Sequence, residues 1–141
     1  MTDGTLVVDS SAVISMLLRE PDAQWFVERL AEADERLMSA GTVQEYLLVA
    51  SSRLGHARPG DGRDLFSDAW QLVGSCDIRV VPVTRDLAVL GASAVTRYRG
   101  APARLNFGDG FSYALARSRS CPILCKGDDF VHTDVDVVRP A

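Results

Sequence analysis

Short apolar runs alternate with amphipathic helical stretches along the whole chain, and this alternation limits the available folds more than any other feature. Runs at 6–8, 37–40, 78–83 and 121–125, with a last one at 135–139, have strand length. Helical spacing of apolar residues fills the intervals at 12–18, 23–35, 43–54, 63–73, 85–98 and 110–119. Strands apolar throughout belong to parallel sheets buried on both faces. Crossovers of this length carry one parallel strand to the next. The pattern predicts an α/β fold with a mainly parallel central sheet of four to five strands, one domain over residues 1–141.

Local signals punctuate the helices. Pro21 stops the first, and Asp22 is placed to cap the second; Thr84 is placed to cap the helix at 85–98. The segment 55–62, with Gly55, Pro59, Gly60 and Gly62, is the loosest part of the chain and reads as a helix–helix loop.

Net charge is −4, which argues against non-specific nucleic-acid binding through a basic surface. The positive charge is nearly all arginine, with Lys126 the one lysine. Cys76, Cys121 and Cys125 form neither a disulfide framework nor a zinc-ligand pattern and read as buried thiols. No apolar run approaches the ~20 residues needed to cross a bilayer. The N-terminus has no basic leader, so a cytoplasmic protein without membrane association is expected.

Acids stand at four strand ends or helix starts. Asp9 ends the run Leu6-Val7-Val8, and Ser10 or Ser11 can cap the next helix. In an open α/β sheet this edge is where ligands bind. Glu45 lies in Thr42-Val43-Gln44-Glu45, Asp109 follows Asn106-Phe107-Gly108, and Asp128-Asp129 precede Phe130. Each has a structural alternative: a turn or cap at Asp9, a capping box at Thr42/Glu45, a first-turn acid at Asp109, turn residues at 128–129. Gathered at one edge, the carboxylates would repel unless a cation sat among them. Hard Mg²⁺ or Mn²⁺ fits oxygen ligands. His56 and His132 read as loop or turn residues rather than metal ligands.

Val7-Val8-Asp9-Ser10-Ser11-Ala12, Thr42-x-x-Glu45, Leu105-Asn106-Phe107-Gly108-Asp109 and Leu124-Cys125-Lys126-Gly127-Asp128-Asp129-Phe130, followed by Thr133-Asp134, together resemble the PIN-domain ribonucleases. More narrowly they resemble the VapC toxins of bacterial type II toxin–antitoxin pairs. The resemblance runs the length of the chain. It implies a PIN-like three-layer α/β/α sandwich and a metal-dependent endoribonuclease leaving 5′-phosphate and 3′-hydroxyl ends. It also implies a small homodimer and inhibition by a cognate antitoxin protein. By position, Asp9, Glu45 and Asp109 match the family's first three acids. The fourth matches Asp129, with Asp128 as the alternative. The resemblance further implies that Asp9 and Asp109 bind Mg²⁺ or Mn²⁺ directly, Glu45 and Asp129 directly or through water. Ser10 and Thr42 would orient water or carboxylates, and Asn106 would hold the loop before Asp109.

Contacts to RNA are less legible. Arg53, Arg58 and Arg63, or Arg97, Arg99 and Arg104, are candidate phosphate holders, with solvated surface arginines as the alternative. Of Trp25, Phe26, Phe66 and Trp70, one or two are candidates to line a groove for an antitoxin helix. Other classes remain as alternatives: a non-catalytic PIN-fold binding module, or a phosphoacceptor receiver domain. A receiver needs an Asp at the end of its middle strand, and Val80-Val81-Pro82-Val83 ends without one. Nucleases acting on DNA flaps are much longer chains.

Overall fold

The computed structural model describes residues 4–54 and 65–141. Its sheet contains β1 (Thr5–Val8), β2 (Glu35–Ser39), β3 (Arg79–Val81), β4 (Ile123–Leu124) and β5 (Val137–Val138), in the spatial order β3-β2-β1-β4-β5. Every neighbouring pair is parallel. The helices among the described residues are α1 (Ser10–Leu17), α2 (Ala23–Glu32), α3 (Ala40–Leu54), α4 (Leu65–Ser75), α5 (Arg85–Arg97) and α6 (Phe107–Arg119).

Alternation along the strands divides the core in two. Leu6, Val8, Met38 and Leu124 pack with Val13 of α1, Phe26 of α2, Tyr46 of α3 and Val73 of α4. Val7, Leu37, Ile123 and Cys125 pack with Ala94 of α5 and with Leu115 and Ala116 of α6. Both faces of the sheet are therefore covered, which is why β1 carries no polar residue between Leu6 and Val8. The architecture is the expected α/β/α sandwich.

The strand order reverses between β1 and β4, since β2 and β3 lie on one side of β1 and β4 and β5 on the other. Such a switch point leaves a crevice beyond the carboxyl ends of the strands. The backbone runs into it in register: Asp9 N donates to Leu124 O at 2.9 Å, one step past the last paired residues. The middle strand is thus β1, which does end in an aspartate, whereas β3 is an edge strand.

Several boundaries differ from the sequence reading for identifiable reasons. β3 stops at Val81 because Pro82 has no N–H for the ladder. β4 begins only after Pro122, and β5 narrows from 135–139 to Val137–Val138. α2 ends at Glu32, so Glu35 opens β2 instead of closing a helix. Thr84 caps α5 as expected, its Oγ1 accepting from Leu87 N at 3.3 Å. Asp22 occupies the N-cap position of α2 without a capping hydrogen bond, because its carboxylate is engaged elsewhere. Cys121 and Cys125 are buried thiols, but Cys76 is only half-buried. The loop at 55–62, with His56, lies outside the described residues. No helix among them is long and apolar enough to cross a membrane.

Candidate active site

Asp9, rather than Ser10 or Ser11, caps α1. Its Oδ2 accepts from Ser11 N at 3.2 Å and from Ser11 Oγ at 2.7 Å. Its Oδ1 accepts from Ser112 Oγ of α6, also at 2.7 Å. Both oxygens of a carboxylate only 6 % exposed are therefore oriented from two helices. Oδ1, which has a single donor, keeps lone-pair capacity for another ligand.

Ser112 links Asp9 to a third helix. Thr42 Oγ1 lies 3.2 Å from Ser112 Oγ, and both residues are fully buried. Ser112 has one hydroxyl hydrogen and spends it on Asp9, so Thr42 is the donor in this pair. Thr42 is consequently not half of a capping box with Glu45. α3 starts at Ala40, directly on the end of β2, and Thr42 and Glu45 are both inside it. Freed from the helix end, Glu45 accepts from Ser10 Oγ at 2.8 Å through Oε1.

Asp109 sits in the first turn of α6, and here the capping box is real. Asp109 N donates to Asn106 Oδ1 at 3.0 Å, and Asn106 N donates to Asp109 Oδ2 at 2.9 Å. The other Asp109 oxygen makes no hydrogen bond among the described residues. Just before it, Gly108 leaves the room that Glu45 occupies: a methyl group at Gly108 would overlap Glu45 Oε2. The acid from α3 thus rests against the positive N-terminal turn of α6. α6 reaches this depth because Gly91 and Gly110 let α5 and α6 touch backbone to backbone. A β-carbon on Gly91 would stand 2.8 Å from Gly110 O.

The carboxylates feel one another. Burial, opposed by the Asn106 N–H, pushes Asp109 up to about 7, with further contributions from the charges of Asp129, Asp9 and Glu45. Burial also raises Glu45 against the lowering effect of Ser10, and Asp9 and Asp129 add to the rise. Asp129 is raised by desolvation and by the charges of Asp9 and its neighbour Asp128. Both Asp128 and Asp129 are exposed, but it is the charge of Asp129, and not that of Asp128, that acts on Glu45 and Asp109. Cys125, beneath the cluster, is pushed up to about 12 by burial and then by Asp9, which makes it an inert thiol.

Among the described residues, no three Asp, Glu, His or Cys side chains stand together as a ready-made ligand set. What is present is an oxygen-only group of carboxylates at the carboxyl end of the sheet, with ionisation of Glu45, Asp109 and Asp129 opposed by burial and neighbouring charge. That donor chemistry fits a hard divalent cation and does not fit a soft one. His132 is exposed and outside this group.

Other candidates fall elsewhere. Arg53, Arg97, Arg99 and Arg104 are exposed, with Arg97 stacked 5.0 Å over the Tyr98 ring; Arg58 and Arg63 lie outside the described residues. Phe26 is fully buried in the core with Trp25 edge-on at 5.2 Å, so it cannot line a groove. Trp70 is exposed, and the side chain of Phe66 lies outside the described ones. Sequence reasoning missed Ser112 as a site residue. Its signal is the interval Asp109-x-x-Ser112, which puts both side chains on one face of a helix.

Comparison with known proteins agrees with this geometry. The PIN domain family matches residues 6–136. Ribonuclease VapC30 of Mycobacterium tuberculosis is 43 % identical over 136 residues, covering 94 % of this chain and 98 % of its own. Ribonuclease VapC of Mycolicibacterium smegmatis is 38 % identical, covering 95 % of this chain and 100 % of its own. Among solved structures, that of Mycobacterium tuberculosis VapC20, described as a sarcin–ricin loop cleaving toxin, superposes with a TM-score of 0.73. It is 20 % identical and covers 96 % of this chain and 99 % of its own. The VapBC2 complex of Rickettsia felis bound to a promoter DNA fragment gives a TM-score of 0.71 at 9 % identity, covering 96 % of this chain and 98 % of its own. The chain belongs to the PIN-domain family, in its VapC branch.

Proposed function

We propose that this protein is an endoribonuclease that hydrolyses RNA phosphodiester bonds with a divalent cation, Mg²⁺ or Mn²⁺. Asp9 and Asp109 would hold the cation directly, with Glu45 and Asp129 contributing directly or through water. The observation that carries the reading is the placement of two carboxylates, Asp9 and Asp109, each only 6 % exposed, with Ser112 of the Asp109 helix bonded to Asp9. Carboxylates set at one end of the sheet with no ion pair of their own among the described residues are arranged for an added positive charge. The names of the relatives, ribonucleases of the VapC type, support RNA as the substrate class.

The chemistry a bound divalent ion supplies is activation of water and neutralisation of charge on the phosphate. The chain's residues provide the orientation. Ser11 and Ser112 hold both oxygens of Asp9, Asn106 N holds one oxygen of Asp109, and Ser10 holds Glu45. Glu45 Oε2 and the second Asp109 oxygen make no hydrogen bond among the described residues and are available to a ligand. Water adds to phosphorus, the bond from phosphorus to the 3′ oxygen breaks, and a 5′-phosphate and a 3′-hydroxyl result. A non-catalytic PIN module is less well supported, because every acid position of the motif is filled.

An antitoxin protein is the proposed partner, supported by the solved toxin–antitoxin complexes of this fold. The proposed homodimer has apolar surface available: Phe107, 80 % exposed, lines a groove between α5 and α6.

The test is cleavage of a structured RNA by purified protein in Mg²⁺ and in EDTA. Cleavage in Mg²⁺ that stops in EDTA, and in folded Asp9→Asn and Asp109→Asn variants, is expected. Wild-type rates in both variants would overturn the assignment.

A further inference from the structure

The chain's one lysine lies next to the site, yet its ammonium points away from the carboxylates. Lys126 Nζ is 2.8 Å from Glu20 Oε2 and 3.2 Å from Asp22 Oδ2, both in the turn between α1 and α2. Asp22 is fixed from behind by a hydrogen bond from the fully buried Ser15 hydroxyl. At the same residue, Lys126 N donates to Ser11 Oγ at 3.0 Å, and Ser11 Oγ donates to Asp9 Oδ2. The backbone and the side chain of Lys126 are therefore tied to α1 and to the turn that ends it.

Directly after Lys126 comes the segment that carries Asp129. Gly127 takes φ +91°, a conformation that side chains rarely adopt, and its carbonyl accepts from Arg139 Nη1 at 3.1 Å. Phe130 is buried at the far end, 2 % exposed. The intervening Asp128 and Asp129 are exposed and make no hydrogen bond among the described residues. Among the described residues, Asp129 is thus positioned by the anchors of its segment: Lys126 and the Arg139-bound Gly127 before it, and Phe130 after it.

We infer that Lys126 is a positioning residue: clamped between Glu20 and Asp22, it sets the turn that directs Asp129 toward Asp9. The clamp also keeps the nearest ammonium out of the crevice. Released, Lys126 would be a built-in competitor for the place of the cation. This inference rests on the proposed carboxylate site, since it names what aims the fourth acid. A merely structural lysine would affect folding stability, whereas a positioning lysine governs how tightly the site takes up a cation.

The test is Mn²⁺ binding to the metal-free full chain, followed by electron paramagnetic resonance without RNA, alongside thermal melting. Glu20→Gln, Asp22→Asn and Lys126→Met are each compared with Lys126→Arg. Outer residues that orient metal ligands alter affinity by about 10–100-fold, so Lys126→Met is expected to weaken Mn²⁺ binding about ten-fold. Glu20→Gln with Asp22→Asn should weaken it further, by freeing the ammonium, and Lys126→Arg should restore most of the affinity. If Lys126→Met does not fold, the Glu20→Gln and Asp22→Asn pair decides. Wild-type Mn²⁺ affinity in the folded clamp variants overturns the inference and leaves the nuclease reading intact. Absence of Mn²⁺ binding in the wild type overturns both.

Discussion

Ser112 Oγ donates to Asp9 Oδ1 at 2.7 Å across 103 positions of sequence, and this one bond joins the two helices that carry Asp9 and Asp109. Ser112 lies one turn after Asp109 on α6, so the bond sets the position of α6 relative to the end of β1. Removing it leaves a buried carboxylate oxygen without its donor and Thr42 without its acceptor. Ser112→Ala is expected to lower stability by about 1–3 kcal/mol and RNA cleavage by about 10–100-fold. Thermal melting with cleavage rates at saturating Mg²⁺ checks both. Full activity would show that Asp9 does not depend on this orientation.

Gly108→Ala separates activity from stability. Alanine is the better helix former by about 1 kcal/mol, and the group it displaces is the far end of the Glu45 side chain, which can move. The variant should be as stable as the wild type or slightly more so. Its cleavage should fall by about ten-fold or more as Glu45 leaves the first turn of α6. Denaturant melts and initial rates distinguish the two effects.

The metal-free protein should lose stability as pH rises. Asp109 goes from 3.8 in its ordinary state to about 7 when folded. Between those values the folded chain keeps a proton that the unfolded chain has released, so unfolding is favoured as pH increases. The contribution is fully present below the unfolded value and lost as pH passes the folded one. Asp109→Asn cannot ionise and can still accept from Asn106 N, so it should escape the loss. Its unfolding free energy, from denaturant melts, should match the wild type near pH 4 and exceed it at pH 8, by about 1–2 kcal/mol after allowance for solvent screening. Glu45 and Asp129 shift in the same direction and reinforce the trend.

A divalent cation should reverse that pH effect. Mg²⁺ or Mn²⁺ binding only to the folded chain stabilises it by mass action, about 2.7 kcal/mol at a concentration one hundred times the dissociation constant. The gain should be large at pH 8, small at pH 5 where protons compete, and absent in Asp9→Asn. Melting temperatures with and without EDTA measure it.

The sheet and the positions of Asp9 and Asp109 were legible because each rests on local chemistry. Leu6-Val7-Val8 is apolar on both faces, and Asn106 with Asp109 forms the capping box its spacing suggests. Glu45 was obscured because Thr42-x-x-Glu45 imitates a capping box, and only the direct junction of β2 with α3 places both residues inside the helix. Ser112 was hard to read for a different reason. The interval Asp109-x-x-Ser112 puts it on the same helix face as Asp109, but its role arises from a contact with Asp9 at the other end of the chain, which that interval does not encode. Asp22 likewise looked like a cap but serves Ser15 and Lys126.

The central claim is that folding gathers these carboxylates to take up one divalent charge, and calorimetric titration of Mn²⁺ into the metal-free wild type near pH 7 tests it most directly. With Asp109 raised to about 7, binding should release a fraction of a proton, visible as a dependence of the heat on buffer ionisation enthalpy. Binding should vanish in Asp9→Asn. No binding by the folded wild type, or unchanged binding by Asp9→Asn, would contradict the account.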